Sequence, residues 1–192
     1  MLSDHVNERV RCAFVDLLGQ KSYSKMTFKE VASVTGMTRQ NLYYYYDSKE
    51  SVLQDVIDQF FDGLYQKMTC FKEGNTDYHD HSAFSEALIG ELAHALIEDI
   101  DTARSFFSTD VEHIFVDRQI AFTKRLLGSI VREQGIVVRD PQYIHYLALQ
   151  MTGAMHLSIK HWVMSDMSFS LEKFVILASP IFDRAIPMLK KN

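Results

Sequence analysis

Three observations predict an all-α fold for this chain of 192 residues. Apolar side chains recur at three- and four-residue steps through segments of helix length. Proline and glycine are scarce, at 3 and 8 residues, which favours long uninterrupted helices over a turn-rich β protein. No stretch alternates apolar and polar residues in the two-residue period of a half-buried strand. The elements divide into a three-helix N-terminal domain, residues 1–48, and a larger helical body, residues 49–192, entered through a long helix.

Val6, Val10, Ala13, Phe14, Leu17 and Leu18 set the period of a first amphipathic helix from Asp4 to Gly19. Gln20 to Met26 is polar and reads as a connection. Thr27 and Glu30 form a T-x-x-E capping box, so a second helix begins there and stops at Gly36, which tolerates the left-handed backbone of a helix end. Thr38 caps a third helix ending near Tyr46, and Ser48 caps a fourth whose period runs from Val52 to Met68. Lys72 to Ser82 is the clearest loop. Ala83 to Asp99 is helical, a break is expected at Asp101 to Arg104, and Thr109 to Gln134 is the next long helix. Pro141 suits the first turn of a helix spanning Tyr143 to Val163. The last helix, Leu171 to Leu189, contains Pro180, which should bend or interrupt it.

A hydrophobic fraction of 47% and a charged fraction of 23% fit a globular chain with a sizeable core. No run reaches the roughly 18 apolar residues of a membrane helix, and the N-terminus lacks a signal-peptide layout, so a cytoplasmic location is expected. Cys12 and Cys70 have no metal-ligand spacing and are expected as buried free thiols. Asp77, His79, Asp80 and His81 cluster in the loop, where a solvated polar segment is expected in preference to a metal site. No Ser-His-Asp order, glycine-rich phosphate loop or cysteine-based site is present, so neither catalysis nor a cofactor is expected. The net charge of −5 is unevenly spread. Residues 1–49 hold seven Lys/Arg against five acids, net +2, and the remaining 13 basic and 20 acidic residues give −7. A basic head on an acidic body suits one module that approaches phosphate and another that does not.

The stretch from Thr27 to Glu50 supplies the parts of a helix-turn-helix. Ala32 is the small residue where two helices cross, Gly36 is the turn, and Val31, Met37 and Leu42 are apolar ties. At about 100° per residue, Tyr46 falls close to Leu42 and belongs to the core, Tyr45 lies at the boundary, and Tyr43 and Tyr44 point outward with Gln40 and Asn41. Arg39 and Gln40 suit bidentate bonds to guanine and adenine in a major groove. Thr27 and Ser48 head helices whose free amides attract phosphate, Lys49 would add a point charge, and Thr38, at the head of the third helix, is a further candidate DNA contact with Asn41.

The run T-F-K-E-V-A-x-x-x-G-M-T-x-x-x-L-Y-Y-Y-Y-x-S-K-E resembles the N-terminal signature of the TetR family of bacterial transcriptional regulators. Tyr46 stands where that family usually has Phe, and Tyr45 where His is common. The resemblance implies phosphate contacts from Tyr43 and Lys49, and base contacts from Arg39, Gln40 and Tyr44. It further implies double-stranded DNA with a palindromic operator as partner, a small-molecule effector bound by the body, and a homodimer.

The residues of the body give partial support of their own. Phe61, Phe84, Leu88, Phe107, Phe115, Phe122, Met151 and Met155 fall on helix patterns and would suit a cavity for an apolar or aromatic ligand, although an ordinary core accounts for any single one of them at least as well. Gly153 and Ala154 would permit close approach of the last two long helices to those of a second subunit. The expected function is therefore a ligand-responsive dimeric regulator, by the family's habit a repressor. The alternatives are an activator, a regulator controlled by a protein partner, and, further off, a metal-responsive regulator or a helical enzyme.

Overall fold

The computed structural model describes residues 2–74, 81–98, 100–108 and 110–189, and among them every regular element is helical. In chain order these are α1 (Leu2–Gln20), α2 (Phe28–Val34), α3 (Arg39–Tyr43), α4 (Lys49–Gly74), α5 (His81–Glu98), α6 (Ile100–Phe106), α7 (Glu112–Glu133), α8 (Gln142–Met164), α9 (Leu171–Ala178), α10 (Pro180–Asp183) and α11 (Ala185–Leu189). A single 3-10 turn, Tyr23–Lys25, sits in the connection after α1.

Local chemistry sets the helix ends. Thr27 Oγ1 accepts from the Glu30 amide at 3.2 Å while Glu30 Oε2 accepts from the Thr27 amide at 2.8 Å, which completes the capping box of α2. At its other end Gly36 takes φ +66°, so that the Met37 amide reaches the Ala32 carbonyl at 2.9 Å and the Gly36 amide reaches that of Ser33 at 3.1 Å. This paired closure absorbs two orphan carbonyls and reverses the chain into α3. Gly135 closes α7 in the same way. Ser48 and Ser51 exchange amide-to-hydroxyl bonds of 3.1 and 3.2 Å at the head of α4.

The chain forms two compact units, residues 1–60 with 99–115, and residues 61–98 with 116–192. The first unit is wider than a 1–48 module. Residues 49–60 of α4 belong to this unit and bury Val52, Leu53 and Ile57, and α6 packs on α1. Ser105 Oγ donates to the Leu18 carbonyl at 3.1 Å, and Asp110 Oδ2 accepts from the Ser24 amide at 2.9 Å. In the second unit, Met68, Phe84, Leu88, Leu126, Leu127, Leu147 and Met151 share one core. Trp162 stacks on Phe174 at 4.5 Å and donates to the Phe169 carbonyl at 2.9 Å, which joins α8 to α9.

Several expectations are corrected. The break placed at Asp101 to Arg104 is α6, because Thr102, Ala103 and Phe106 are buried, Asp101 is exposed and Ser105 bonds to α1. The loop expected from Lys72 shortens, since α4 runs to Gly74 and α5 begins at His81. Asp77, His79 and Asp80 lie outside the described residues. Both cysteines are exposed, not buried. The phase of α1 sets Cys12 one turn from Glu8, with Sγ 3.9 Å from Glu8 Oε1 on the polar face. Pro180 does interrupt the final helix, splitting it into α9, α10 and α11.

Two consequences of this packing are measurable. Hydrogen bonds from Lys21 and Thr27 lower the Glu30 carboxyl from 4.5 to about 2. Its stabilising contribution is therefore complete above pH 4.5 and lost as pH falls from there towards about 2. In acid titrations, Glu30→Gln should remove part of the stability loss in that window. Tyr46→Phe deletes a hydrogen bond to a partly buried carboxylate and should cost about 1–2 kcal/mol in chemical denaturation, with the fold retained.

Candidate nucleic-acid interface

The four tyrosines separate by burial in the order their helical phase requires. Tyr46 is 7% exposed, Tyr45 is half-buried, Tyr43 is exposed and Tyr44 is 84% exposed. Although α3 ends at Tyr43, the Tyr46 amide still bonds to the Leu42 carbonyl at 3.0 Å, so the helical phase persists to the core. The Tyr46 hydroxyl donates to Asp55 Oδ2 at 2.5 Å, and Arg11 Nη1 donates to the same oxygen at 3.0 Å. Burial, and then the bond to Asp55, push the Tyr46 hydroxyl far above the usual phenol range, so it remains a donor. The position that usually carries Phe thus holds a Tyr whose extra oxygen is satisfied.

The outward side of α3 carries two groups of residues. Thr38, Gln40, Asn41 and Tyr44 line one open concave surface. Thr38 Oγ1 accepts from the Asn41 amide at 3.1 Å, which caps the helix and leaves the hydroxyl proton available. On the neighbouring side, Arg39 Nη2 donates to the Tyr43 oxygen at 2.8 Å, and the Tyr43 ring lies 4.8 Å from that of Phe28. Arg39 is therefore laid along the helix, and the Tyr43 oxygen keeps its own proton to donate. The Tyr44 ring meets Tyr45 edge-on at 5.2 Å.

Two residues expected on phosphate have internal occupations. Lys49 Nζ donates to the carbonyls of Tyr23 at 2.8 Å and Met26 at 2.9 Å, and lies 4.1 Å from the centre of the Tyr23 ring. It fastens the turn after α1 to the start of α4, and spends two of its three protons doing so. Thr27 spends its hydroxyl and its amide on Glu30, and that carboxylate already occupies the end of α2 where a phosphate would sit. The Thr27 contact follows from the T-x-x-E spacing, whereas the Lys49 contacts are neither local in sequence nor visible in residue type. The turn at Tyr23–Lys25 became a partner for Lys49 only through folding.

In the body, Phe61, Phe84, Leu88, Phe122, Met151 and Met155 line two narrow cavities that share Thr123, Met151 and Phe182. Each cavity is about 20 Å³, room for one water. Phe107 and Phe115 are placed elsewhere, in the first unit, where Phe115 stacks on Phe106 at 5.1 Å and meets Phe107 edge-on at 5.4 Å. Sequence reasoning missed the polar residues that line these cavities, Ser85, Gln119, Thr123, Gln134 and Thr152. No group of three or more metal-ligating side chains occurs among the described residues, and no described helix is long and apolar enough to cross a membrane.

Residues 13–56 match the family model described as bacterial regulatory proteins, tetR family. The chain is 24% identical over 110 residues to the HTH-type transcriptional repressor KstR2 of Rhodococcus jostii, covering 57% of this chain and 52% of that one. It is 25% identical over 174 residues to the uncharacterized HTH-type transcriptional regulator YxbF of Bacillus subtilis, covering 89% of this chain and 43% of the relative. The matches thus span about half the length of these curated relatives. Among solved structures, the Thermus thermophilus FadR repressor in complex with lauroyl-CoA shares the fold at a TM-score of 0.66 and 18% identity, covering 97% of this chain and 96% of that one. A capping box, a positive-φ glycine turn and a tyrosine-bearing second helix lie within the matched residues, on an all-helical frame shared over nearly the whole length. Residues 13–56 place the N-terminal module of this chain with the TetR family of bacterial transcriptional regulators.

Proposed function

We propose that this chain is a homodimeric repressor that grips a palindromic operator with two copies of α3 and is released by a small apolar or aromatic effector. The observation that carries the reading is the surface of Thr38, Gln40, Asn41 and Tyr44, which is exposed, polar and set on a helix whose inner side is locked by Leu42 and Tyr46. Such a helix meets the major groove with side chains able to contact base edges, and Tyr43 supports it by donating to a phosphate. Arg39 swings from Tyr43 to a guanine at the cost of one exposed hydrogen bond.

Dimerisation draws support from the outer face of α8 and α9. Tyr146, Leu149, Gly153, Ala154, Leu157 and Met164 follow one another at helical steps and are exposed, as are Ile176 and Leu177 on α9. Leu157 is 68% and Leu177 71% exposed, and large exposed apolar side chains repeated along a helix face suit an interface. A second copy is the occupant that a two-fold symmetric operator requires, since paired recognition helices must span half-sites about one helical turn apart. The repressors similar to this chain, one of them in complex with lauroyl-CoA, support release by an apolar effector. The effector pocket lies among α4, α5, α7 and α8, and of these α4 and α7 continue into the unit that carries α3. Binding there shifts the population of dimers competent to engage both half-sites.

Two experiments test this. On an operator selected from random duplexes, an Arg39→Ala, Gln40→Ala double variant should lose base selectivity, while Tyr43→Phe should weaken all duplexes alike. Full selectivity in the double variant would remove the reading face from Arg39 and Gln40. Leu157→Glu places a charge in the proposed interface. Light scattering should then show a monomer, with operator affinity reduced by at least about tenfold, whereas a dimer of unchanged affinity would place the interface elsewhere.

A further inference from the structure

The pocket of the body has a polar end whose chemistry is not that of a plain apolar core. Among its lining residues there is no Lys, Arg, Asp or Glu. A charged ligand group would have no counter-ion there, and an unpaired buried charge is strongly disfavoured. Three buried polar side chains, Gln119, Thr123 and Thr152, line the cavity beside Phe61, Phe122 and Met155.

Their hydrogen bonds leave a defined remainder. Thr123 Oγ1 donates to the Gln119 carbonyl oxygen of the main chain at 2.9 Å, so its proton is spent. The 3.2 Å bond between Thr123 Oγ1 and Thr152 Oγ1 is then donated by Thr152, whose oxygen keeps its capacity to accept. Gln119 Oε1 is paired with His156 Nδ1 at 3.1 Å, which leaves the amide NH2 of Gln119 as a donor. One donor and one acceptor thus stand within one pocket, and the group complementary to both is a hydroxyl. The walls above them are the stacked pair Phe61 and Phe122, at 5.1 Å, with Met151 and Met155. Thioether side chains repack readily, which lets the closed pocket open around a ring.

We propose that the pocket binds an uncharged, mainly apolar ring compound through one hydroxyl group, which accepts from the Gln119 amide and donates to Thr152 Oγ1. This rests on the pocket being the effector site. Calorimetric titration of the intact protein with 4-ethylphenol, ethylbenzene and 4-ethylbenzoate, at a pH where the benzoate is ionised, tests it. The phenol should bind about tenfold more tightly than ethylbenzene, and the benzoate should give no binding heat. Thr152→Val and Gln119→Leu, each checked for retained helicity, should each remove about fivefold of the phenol's affinity and leave that of ethylbenzene unchanged. Ethylbenzene binding as tightly as the phenol, or the benzoate binding best, overturns the hydroxyl reading while leaving the effector pocket in place. Failure of all three probes to bind overturns both.

Discussion

One carboxylate oxygen holds the reading head in register. Asp55 Oδ2, on α4, accepts from Tyr46 at the end of the recognition segment and from Arg11 on α1. Arg11 is also paired with Glu8 at 2.6 Å, so it is fixed along its own helix as well. These bonds join three helices at the one place where α3, only five residues long, has too little length to anchor itself. Leu42 and Tyr46 supply the apolar attachment, and the shared carboxylate sets the rotation of α3 about its axis. That rotation decides which residues face outward. If Tyr46 turned away from Asp55, Gln40, Asn41 and Tyr44 would leave their common surface together.

Lys49 gives this arrangement its second fastening. Its ammonium group bonds the Tyr23 and Met26 carbonyls, so the start of α4 is clamped to the turn that precedes α2. The Ser24 amide in that same turn is held by Asp110. The turn after α1 is therefore gripped by α4 and by the segment between α6 and α7, all within one compact unit. Such fastenings hold the short α3 within its unit, where its own length gives it little stability.

Features that depend on neighbours within one helical turn were legible in the sequence. The capping box of Thr27 and Glu30, the left-handed Gly36 and the sorting of Tyr43 to Tyr46 follow from spacing alone, and each has the geometry its spacing implies. Features created by folding were not. Lys49 meets carbonyls more than twenty residues away, and the residue type alone suggested a phosphate partner. Cysteine type suggested burial, but helix phase put Cys12 and Cys70 on polar faces. The polar residues at Asp101 to Arg104 masked a helix that tertiary packing stabilises through Ala103 and Phe106. Phe107 and Phe115 could not be separated from the pocket residues by pattern, since both groups are aromatic and helical. The donor and acceptor at Gln119 and Thr152 depend on partners 37 and 29 residues distant in sequence.

On the proposed function, the side of α3 facing away from the Asp55 anchor touches DNA bases. Photo-crosslinking to operator duplexes carrying 5-iodouracil in place of thymine, with the joined peptides mapped by mass spectrometry, tests it most directly. Crosslinks are expected at Tyr44, with none at the buried Tyr46. Crosslinks confined to the body, or centred on Tyr46, would contradict it.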